Sequence, residues 1–502
     1  MKPYKKRFLG LAMALLLLGG CAQGQEAATP QQEVAAAYAS GASVIKAAAN
    51  LEAQVGYSLE DLESGWSPEA ATSIAGTGTS WEVEGSGVEL RDSQAVIVAG
   101  GTYVVSGVME DGMLLVDAED AATVRIVLNG AELKSASDAP IYVKNAEKAI
   151  LTLEEGTLNR VEDGTTRPEE TEEMETAGGA IFSNDDLTIN GTGSLTVQGN
   201  YKHGVEGDDA VLVTGADLEI TAVKDGINVN DLFALKEGSL AITAGDDGIH
   251  SDGALVVDGG VLAVEESQEG LEGALVVVNA GDIRVRSADD GINTALDAEE
   301  TDPSATAGLT TAAGRPRMDA NDGSRLEIRG GTLVVDAQGD GIDANGDILM
   351  TGGSVTVNGP AMDANGAIDY NGSFTMEGGV LVAAGSAGMV QAPSEASTQN
   401  SLLFYLGTQK EGATVEVLDE AGNVLAGMET VRESGSLVVS TPEIVQGGTY
   451  RVLVDGQETA SLVAAGTVST YGQGGMGGGR GGMGGQWVRP EEAKPGPGKQ
   501  EQ

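Results

Sequence analysis

Residues 224–250 read KDGINVNDLFALKEGSLAITAGDDGIH, and residues 268–293 return to the same pattern as QEGLEGALVVVNAGDIRVRSADDGIN. Each pass contains an acidic residue, a glycine and an aliphatic residue in a row, followed by short aliphatic runs between Gly, Asn and Asp. A second marker keeps step with the first, a Gly or Ala followed by aliphatic residues two and four positions later. It starts at Gly193, Ala216, Gly238, Gly260, Gly281, Gly331, Gly353 and Gly379, with successive spacings of 23, 22, 22, 21, 50, 22 and 26 residues.

The repeat length determines the predicted fold. A period of about 22 residues is too short for two helices with their turns, and the nine-residue period of calcium-binding rolls is absent. Each unit offers two or three short strands that cannot bury their apolar residues alone, whereas stacked units share one core. The sequence therefore predicts an all-β protein, a single-stranded parallel β-helix of about 22-residue coils in which each coil adds about 4.8 Å.

Two of the spacings exceed one coil. The spacing of 50 predicts one coil plus an insert within Thr294–Asn321, which is rich in Ala, Thr and Asp. The spacing of 26 predicts a smaller insert around Asp363.

Composition excludes some functions. The chain has 502 residues with 28 Lys and Arg against 76 Asp and Glu, for a formal charge of −48. Such a surface excludes nucleic acid as a natural partner and disfavours anionic lipid surfaces, because both need a basic face. The 75 glycines and only 4% aromatic residues favour short strands and tight turns over a helical enzyme core.

The N-terminus is typical of an exported lipoprotein. Basic residues precede an apolar run from Phe8 to Leu18, which indicates a secretory signal peptide over residues 1–20. The run ends in Leu18-Gly19-Gly20-Cys21, which resembles a bacterial lipobox, and Cys21 is the only cysteine. We therefore expect lipidation at Cys21, an extracytoplasmic location at the cell membrane or cell surface, and membrane contact through this anchor only.

The remaining boundaries follow from changes of pattern. Residues 21–74 are predicted to be a tether and residues 75–400 the parallel β-helix. Residues 401–468 alternate like antiparallel strands and predict a small C-terminal β unit that covers the exposed edge of the helix. Residues 469–502, which are rich in Gly and then charged, predict a disordered tail.

In a stacked repeat, equivalent positions lie above one another, so the acidic residues form a column. Neighbouring carboxylates about 5 Å apart repel by about 3 kcal/mol at an effective dielectric constant of 20. A bound divalent cation offsets this repulsion, and oxygen ligands with few His or Cys select Ca²⁺. The predicted metal ligands are Asp225, Asp246, Asp247, Glu269, Asp289, Asp290, Asn293, Asp340 and Asp343. The open alternative is that these residues only form turns, because Asp-Gly is a common tight-turn dipeptide.

The ligands are expected in three clusters. The first joins Asp225 with Asp246 and Asp247, with His250 nearby. The second joins Glu269 with Asp289, Asp290 and Asn293, and the third joins Asp340 with Asp343. Lys224 stands where a second acid is expected, so its ammonium group is a candidate substitute for a metal ion.

Several motifs in order resemble one family. They are residues 101–107, GTYVVSG; residues 185–191, DDLTING; the Asp-Gly-Ile coils; residues 343–346, DANG; and residues 385–389, GSAGM. From about Tyr57 to Val468 the chain resembles extracellular carbohydrate-binding proteins with a calcium-containing right-handed parallel β-helix. That family is similar to calcium-dependent pectate lyases in fold and is known for binding cellulose and polygalacturonan. The lyase-type motif Asp-Asp-Gly-aliphatic-Asp falls on residues 246–250 and 289–293, where His250 and Asn293 replace the last Asp.

The expected function is binding of acidic polygalacturonan-type or cellulose-type polysaccharide by a monomer, without cleavage. Asn228, His250, Lys202 and Lys224 are the candidate carbohydrate contacts. The first alternative is a calcium-dependent polysaccharide lyase, which needs a Lys or Arg base near the metal. The second alternative is a structural or adhesive surface protein in which calcium only stiffens the helix.

Overall fold

The computed structural model describes residues 55–168, 176–296 and 321–473. These residues form one short helix, α1 (Leu59–Leu62), a 3-10 turn (Pro68–Ala70) and 37 strands. The first twelve strands are β1 (Thr72–Gly78), β2 (Trp81–Glu84), β3 (Val88–Arg91), β4 (Gln94–Ile97), β5 (Gly101–Met109), β6 (Met113–Asp117), β7 (Thr123–Ser135), β8 (Ile141–Asn145), β9 (Lys148–Leu153), β10 (Leu158–Asp163), β11 (Gly179–Ser183) and β12 (Asp186–Gly191).

The middle of the chain continues in the same way. Its strands are β13 (Ser194–Gly199), β14 (His203–Gly207), β15 (Ala210–Ala222), β16 (Ile227–Val229), β17 (Leu232–Ala244), β18 (Ile249–Val257), β19 (Val261–Glu266), β20 (Leu271–Val278), β21 (Asp282–Ser287), β22 (Ile292–Thr294), β23 (Arg325–Ile328), β24 (Thr332–Ala337), β25 (Ile342–Ala344), β26 (Asp347–Met350), β27 (Ser354–Asn358), β28 (Asp369–Tyr370), β29 (Phe374–Met376) and β30 (Val380–Gly385). The last strands are β31 (Ser401–Gln409), β32 (Thr414–Leu418), β33 (Val424–Glu429), β34 (Ser434–Ser440), β35 (Thr449–Val454), β36 (Gln457–Val463) and β37 (Val468–Tyr471).

Most of these strands pair in parallel with the strand one repeat later, and the pairs build three stacks. Stack A contains β4, β6, β8, β11, β14, β16, the start of β18, the start of β20, β22, β25 and β28. Stack B continues from β9 and β12 through the first parts of β15 and β17, then through the second parts of β18 and β20 to β23, β26 and β29. Stack C runs from β10 and β13 through the second part of β15 and β17, then to β19, β21, β24, β27 and β30.

The register of the stacks follows the sequence repeat. In stack A, Ile227 pairs with Ile249, which pairs with Leu271, and both steps are 22 residues. Ile292 then pairs with Ile342, so the long insert is bridged without a break in the stack. All five residues are at most 1% exposed and belong to one continuous core. Each buried aliphatic side chain contributes about 1.5–3 kcal/mol, so the shared core stabilises units that could not fold singly.

The segment before β1 lies against the outer side of stack B. Ser58 caps α1, and the side chain of Asp61 in α1 is fully buried. Its carboxylate accepts hydrogen bonds from Lys148 and Thr188, at 2.8 and 2.7 Å. Tyr57 packs under the Lys236 ammonium group, 4.6 Å from the ring centroid. Residues 55–71, assigned to the tether by the sequence, are therefore packed on the body of the protein.

The two ends of the stacks are covered by antiparallel strands. At the start, β2 pairs with β1 and β3 pairs with β4 in antiparallel register. At the other end, β34 pairs antiparallel with β30 and with β31. A separate four-stranded antiparallel sheet has the order β33-β32-β35-β36 and shares an apolar core with β30, β31 and β34. These strands cover edges that would otherwise invite association with another chain.

The structure confirms the all-β class and the parallel pairing of strands. The predicted signal peptide, Cys21 and most of the predicted tether lie outside the described residues, as do residues 297–320 of the insert and the tail from residue 474. Among the residues that the structure does describe, no helix has the length and apolar character that a membrane crossing requires.

Candidate functional site

The Asp-Gly-aliphatic units stack rung over rung at the turn between stacks C and A. The amides of the first four glycines each donate a hydrogen bond to the carbonyl oxygen of the acidic residue one repeat later, and the Gly341 amide donates to Gly366. Gly226 bonds to Asp247 in this way and Gly270 bonds to Asp290, both at 2.9 Å. We name the residues before these glycines the first column: Asp225, Asp247, Glu269, Asp290 and Asp340.

A second column runs beside the first on the outer side of stack A. Its members are Asn228, His250, Glu272, Asn293, Asp343 and Asp369, and each is paired in register with the next. These residues lie two positions after the glycines, except for Asp369, which enters through the shorter insert. Successive side chains along a strand point to opposite faces, so these polar groups face outward while the aliphatic residue before each is buried.

At the N-terminal end of the first column, basic residues lie beside the acidic side chains. Asp225 Oδ2 lies 3.0 Å from His203 Nδ1 and accepts a hydrogen bond from Asn228 at 2.7 Å. Burial alone would raise the pKa of Asp225, but these interactions outweigh it and hold the pKa below its ordinary value. Lys224 directly precedes Asp225 in the sequence, and its Nζ lies 2.5 Å from Asp246 Oδ2. The first predicted cluster is therefore divided, because two of its acids have their own basic partners.

One rung after Asp225, His250 is surrounded by carboxylates. Its Nδ1 lies 3.3 Å from Asp247 Oδ2 and 2.8 Å from Glu272 Oε2. Its Nε2 lies 2.9 Å from Asp252 Oδ1. Burial alone would lower the pKa of His250, but these three carboxylates raise it to about 12. Burial and the charge of Glu272 raise the pKa of Asp247 to about 6, although His250 opposes that shift.

The C-terminal end of the columns has carboxylates without a basic partner among the described residues. Asp290, Asp340 and Asp343 each offer an oxygen within 4.8 Å of the other two. Burial, followed by the charges of Asp290, Asp340 and Asp369, raises the pKa of Asp343 to about 8. Burial and the neighbouring carboxylates also raise the pKa of Asp340 to about 7 and that of Asp290 to about 6. This end therefore concentrates negative charge in a partly buried place.

Asn293 links the middle of the columns to this end. Its Nδ2 donates to Glu269 Oε2 at 2.8 Å, while its Oδ1 is buried and accepts no hydrogen bond from any described residue. Burial, followed by the charge of Glu272, raises the pKa of Glu269 to about 7 despite the hydrogen bond from Asn293. The backbone carbonyl oxygen of Asp289 accepts a hydrogen bond from the Gly339 amide. The second predicted cluster thus contains the Glu269–Asn293 contact, whereas Asp290 meets Asp340 and Asp343 of the third.

The remaining candidate residues lie at the basic end. The Lys202 ammonium lies 5.5 Å from the centre of the Tyr201 ring. Lys202 and Lys224 occupy the same position in successive rungs, because the Lys224 amide donates to the Lys202 carbonyl at 2.7 Å. Hydrogen bonding with Asp246 raises the pKa of Lys224, which keeps its ammonium group charged.

The list of candidate ligands drawn from the sequence omits three acids that the structure brings into these clusters. Glu272 and Asp369 follow from the register of the second column, so the repeat alone signals them. Asp252 lies two residues after His250 on β18, and the alternation of side chains along a strand is the signal for its proximity.

Much of this chain matches the sequences of known proteins. The sequence profile of the family described as carbohydrate-binding domain-containing protein matches residues 91–310 and 246–453. A carbohydrate-binding domain-containing protein from Acetivibrio thermocellus is 32% identical over 136 residues, which are 27% of this chain and 48% of the relative. The chain thus spans about half the length of that relative.

Part of this chain is similar to a solved structure. The polysaccharide lyase-like protein from C. thermocellum, solved as a gadolinium derivative, aligns with 23% identity and a TM-score of 0.42. The alignment covers 56% of this chain and 96% of that one. Since the family profile matches well over half of the chain, the protein belongs to the family of carbohydrate-binding domain-containing proteins.

Proposed function

We propose that the protein binds polysaccharide through a calcium site at the C-terminal end of the two columns and does not cleave it. The observation that carries this proposal is the set of three converging carboxylates, Asp290, Asp340 and Asp343. Membership in the carbohydrate-binding family supports polysaccharide as the partner. Acidic polygalacturonan-type glycan is the preferred class and cellulose-type glycan the second.

The donor set fits Ca²⁺. All side-chain donors at this end are oxygens, which is the ligand chemistry that Ca²⁺ prefers. The buried Oδ1 of Asn293 has no described hydrogen-bond donor, and Asn293 is paired in register with Asp343. Asp290, Asp340 and Asp343 would hold the ion, with Asn293 and Asp369 beside them. When bound, the ion would supply the positive charge that allows a sugar carboxylate to approach this acidic surface.

The basic end of the columns would add direct contacts. Lys202 and Lys224 supply ammonium groups in successive rungs, and Asn228 and His250 supply polar groups on the second column. Ammonium groups attract the carboxylates of a uronate chain, whereas a neutral glucan gains only hydrogen bonds from them. This difference supports the preference for acidic glycan.

The same residues argue against lyase chemistry. A lysine that acts as the general base must lose its proton near neutral pH, which requires a lowered pKa. The pKa of Lys224 is raised by Asp246, so Lys224 is unsuited to that role. We therefore propose binding without cleavage, and assays for unsaturated uronides by ultraviolet absorbance should detect no product from polygalacturonate.

We also infer the setting of this activity. The three parallel stacks would be the faces of a right-handed single-stranded β-helix, and a crystal structure would test this handedness.

The chain would be a monomer held outside the cytoplasm by a lipid on Cys21. Labelling with a radioactive fatty acid should mark the wild-type protein and not a Cys21→Ala variant, and labelling of both would contradict the anchor.

Binding assays test the central proposal. The full chain, stripped of metal, should bind polygalacturonate in the presence of Ca²⁺ and lose at least tenfold affinity in EDTA. Asp340→Asn and Asp343→Asn should lose Ca²⁺ uptake and polygalacturonate binding together. Asp282→Asn is the matched control, because its side chain is 51% exposed on β21 and lies outside both columns. Binding that is equal in Ca²⁺ and EDTA would contradict the proposal, and a lower melting temperature in EDTA without any glycan binding would favour the structural alternative.

A further inference from the structure

The cluster around His250 differs chemically from the all-oxygen end of the columns. Asp247, His250 and Glu272 each offer one ligand atom, and these three atoms lie within 4.8 Å of one another. Their side chains are 14%, 25% and 22% exposed, so the cluster is largely covered but open on one side. One of its three donors is an imidazole nitrogen, which Ca²⁺ does not favour.

The fold fixes the three donors from different directions. Asp247 and His250 belong to one rung, and Glu272 is the register partner of His250 on the next. The Asp247 amide donates to Asp225 Oδ1 at 3.2 Å, which ties its backbone to the rung before. The cluster therefore draws on the stacking of three successive rungs.

The far side of the imidazole is also held. Nδ1 faces Asp247 and Glu272, whereas Nε2 lies 2.9 Å from Asp252 Oδ1. A metal-bound histidine almost always donates its other ring N–H to a carboxylate or carbonyl, which fixes the ring and its tautomer. Asp252 occupies that supporting position on the same strand.

We propose that Asp247, His250 and Glu272 form a second metal site, selective for a borderline transition-metal ion such as Zn²⁺, with Asp252 as the carboxylate that orients His250. Imidazole together with carboxylates suits Zn²⁺, Cu²⁺, Fe²⁺ and Ni²⁺ better than it suits Ca²⁺. The site would leave coordination positions on the exposed side for water or for a ligand oxygen, as in zinc sites with three protein ligands.

Distances and charge both support the assignment. Tetrahedral Zn²⁺ with bonds of about 2.0–2.2 Å places its ligand atoms about 3.3–3.6 Å apart. The Nδ1–Asp247 separation is 3.3 Å and the Nδ1–Glu272 separation is 2.8 Å, so only a small outward shift of Glu272 is needed. Three carboxylates surround His250. A divalent metal ion bound to the neutral imidazole brings two positive charges to them, whereas protonation of the imidazole brings only one.

Cobalt(II) is the probe for the test, because its visible absorption reports nitrogen and oxygen ligands in a four-coordinate site. The full chain is stripped of metal and kept in excess Ca²⁺, which fills the oxygen-only sites. It should then bind Co²⁺ and show strong visible absorption bands, and added Zn²⁺ should remove these bands by displacing the Co²⁺. His250→Gln and Glu272→Gln should each remove the bands, with at least tenfold weaker Co²⁺ binding. Asp343→Asn is the matched control and should keep them.

The outcomes separate this site from the proposed glycan function, because the readout is a metal spectrum and needs no polysaccharide. Circular dichroism must show that each variant is folded, and the two glutamine variants give independent tests if one is not. Absence of the bands in the wild-type chain, or their survival in both glutamine variants, would mean that His250 binds only a proton between its carboxylates and would overturn the proposal.

Discussion

At the scale of single residues, Asp61 shows how one carboxylate fastens a distant segment. Its side chain is fully buried, and it meets Lys148, Thr188 and the Ser58 amide at 2.7–2.8 Å. Although burial would raise the pKa of Asp61, these hydrogen bonds outweigh it and keep the pKa below the ordinary value of 3.8. The carboxylate is therefore charged at neutral pH and forms an ion pair with Lys148.

Asp61→Asn should destabilise the protein by about 3 kcal/mol, because it removes the buried carboxylate that pairs with the largely buried Lys148 ammonium at 2.8 Å. Urea unfolding followed by circular dichroism would measure the loss. Glu60→Gln, at an exposed position of the same helix, should change stability by less than about 0.5 kcal/mol. Equal effects of the two substitutions would show that the buried pair does not stabilise the segment.

At the scale of one repeat element, the glycine of each Asp-Gly-aliphatic unit permits the stacking. A Cβ atom on Gly291 would lie 2.2 Å from Val335 Cγ1 and 2.5 Å from the Gly341 carbonyl oxygen. Gly291→Ala should therefore cost about 1–3 kcal/mol by overpacking and should disturb the nearby carboxylates. Gly65→Ala is the control, since a Cβ there has no atom within 4 Å. Thermal unfolding should separate the two variants, and an unchanged Gly291→Ala protein would contradict the close approach.

The link between the stacks and the C-terminal unit is a second feature at this scale. Arg432 donates to the carbonyl oxygens of Ala337, Asn358 and Gly359 and forms an ion pair with Asp336. Arg432→Ala should cost about 1.5–3 kcal/mol, because it removes charged hydrogen bonds and leaves buried carbonyl groups unpaired. Hydrogen exchange should become faster in β30 and β34. Arg451→Ala, which removes only a 3.4 Å surface ion pair, should leave their protection unchanged.

At the scale of the whole molecule, the stacked acids predict an unusual pH dependence. Unfolded aspartates titrate near pH 4, whereas burial and mutual repulsion place the pKa values of Asp290, Asp340 and Asp343 at about 6, 7 and 8. Between pH 4 and 8 the folded state therefore binds more protons than the unfolded state, so stability falls as pH rises. In EDTA, the urea midpoint should decrease from pH 5 to pH 8.

Calcium supplies the control for this pH prediction, because carboxylates that hold a cation no longer need protons. In excess Ca²⁺ the decrease between pH 5 and pH 8 should be largely removed. Asp343→Asn should also flatten the curve in EDTA, since it takes one charge from the cluster. A urea midpoint that rises with pH in EDTA would contradict this prediction.

The β class, the repeat length and the register of the stacked coils can all be predicted from residue order. Short aliphatic runs separated by glycine at a period of about 22 residues allow few other arrangements, and Ile227 does pair with Ile249 one repeat later. The same repeat indicated which acids share a column. These features are local and periodic, so they can be read from residue order.

Which acids meet, and which have a basic residue beside them, depends on the folded chain. His203 and Lys224 reach Asp225 and Asp246 from neighbouring rungs, which divides the first predicted cluster, whereas Asp290 joins Asp340 across an insert. The docking of residues 55–71 also lacks a sequence signal, since Asp61 finds partners up to 153 positions away. Periodicity fixes the height of a residue in the stack, but side-chain direction and non-repeating segments determine its contacts, and those arise only when the whole chain is folded.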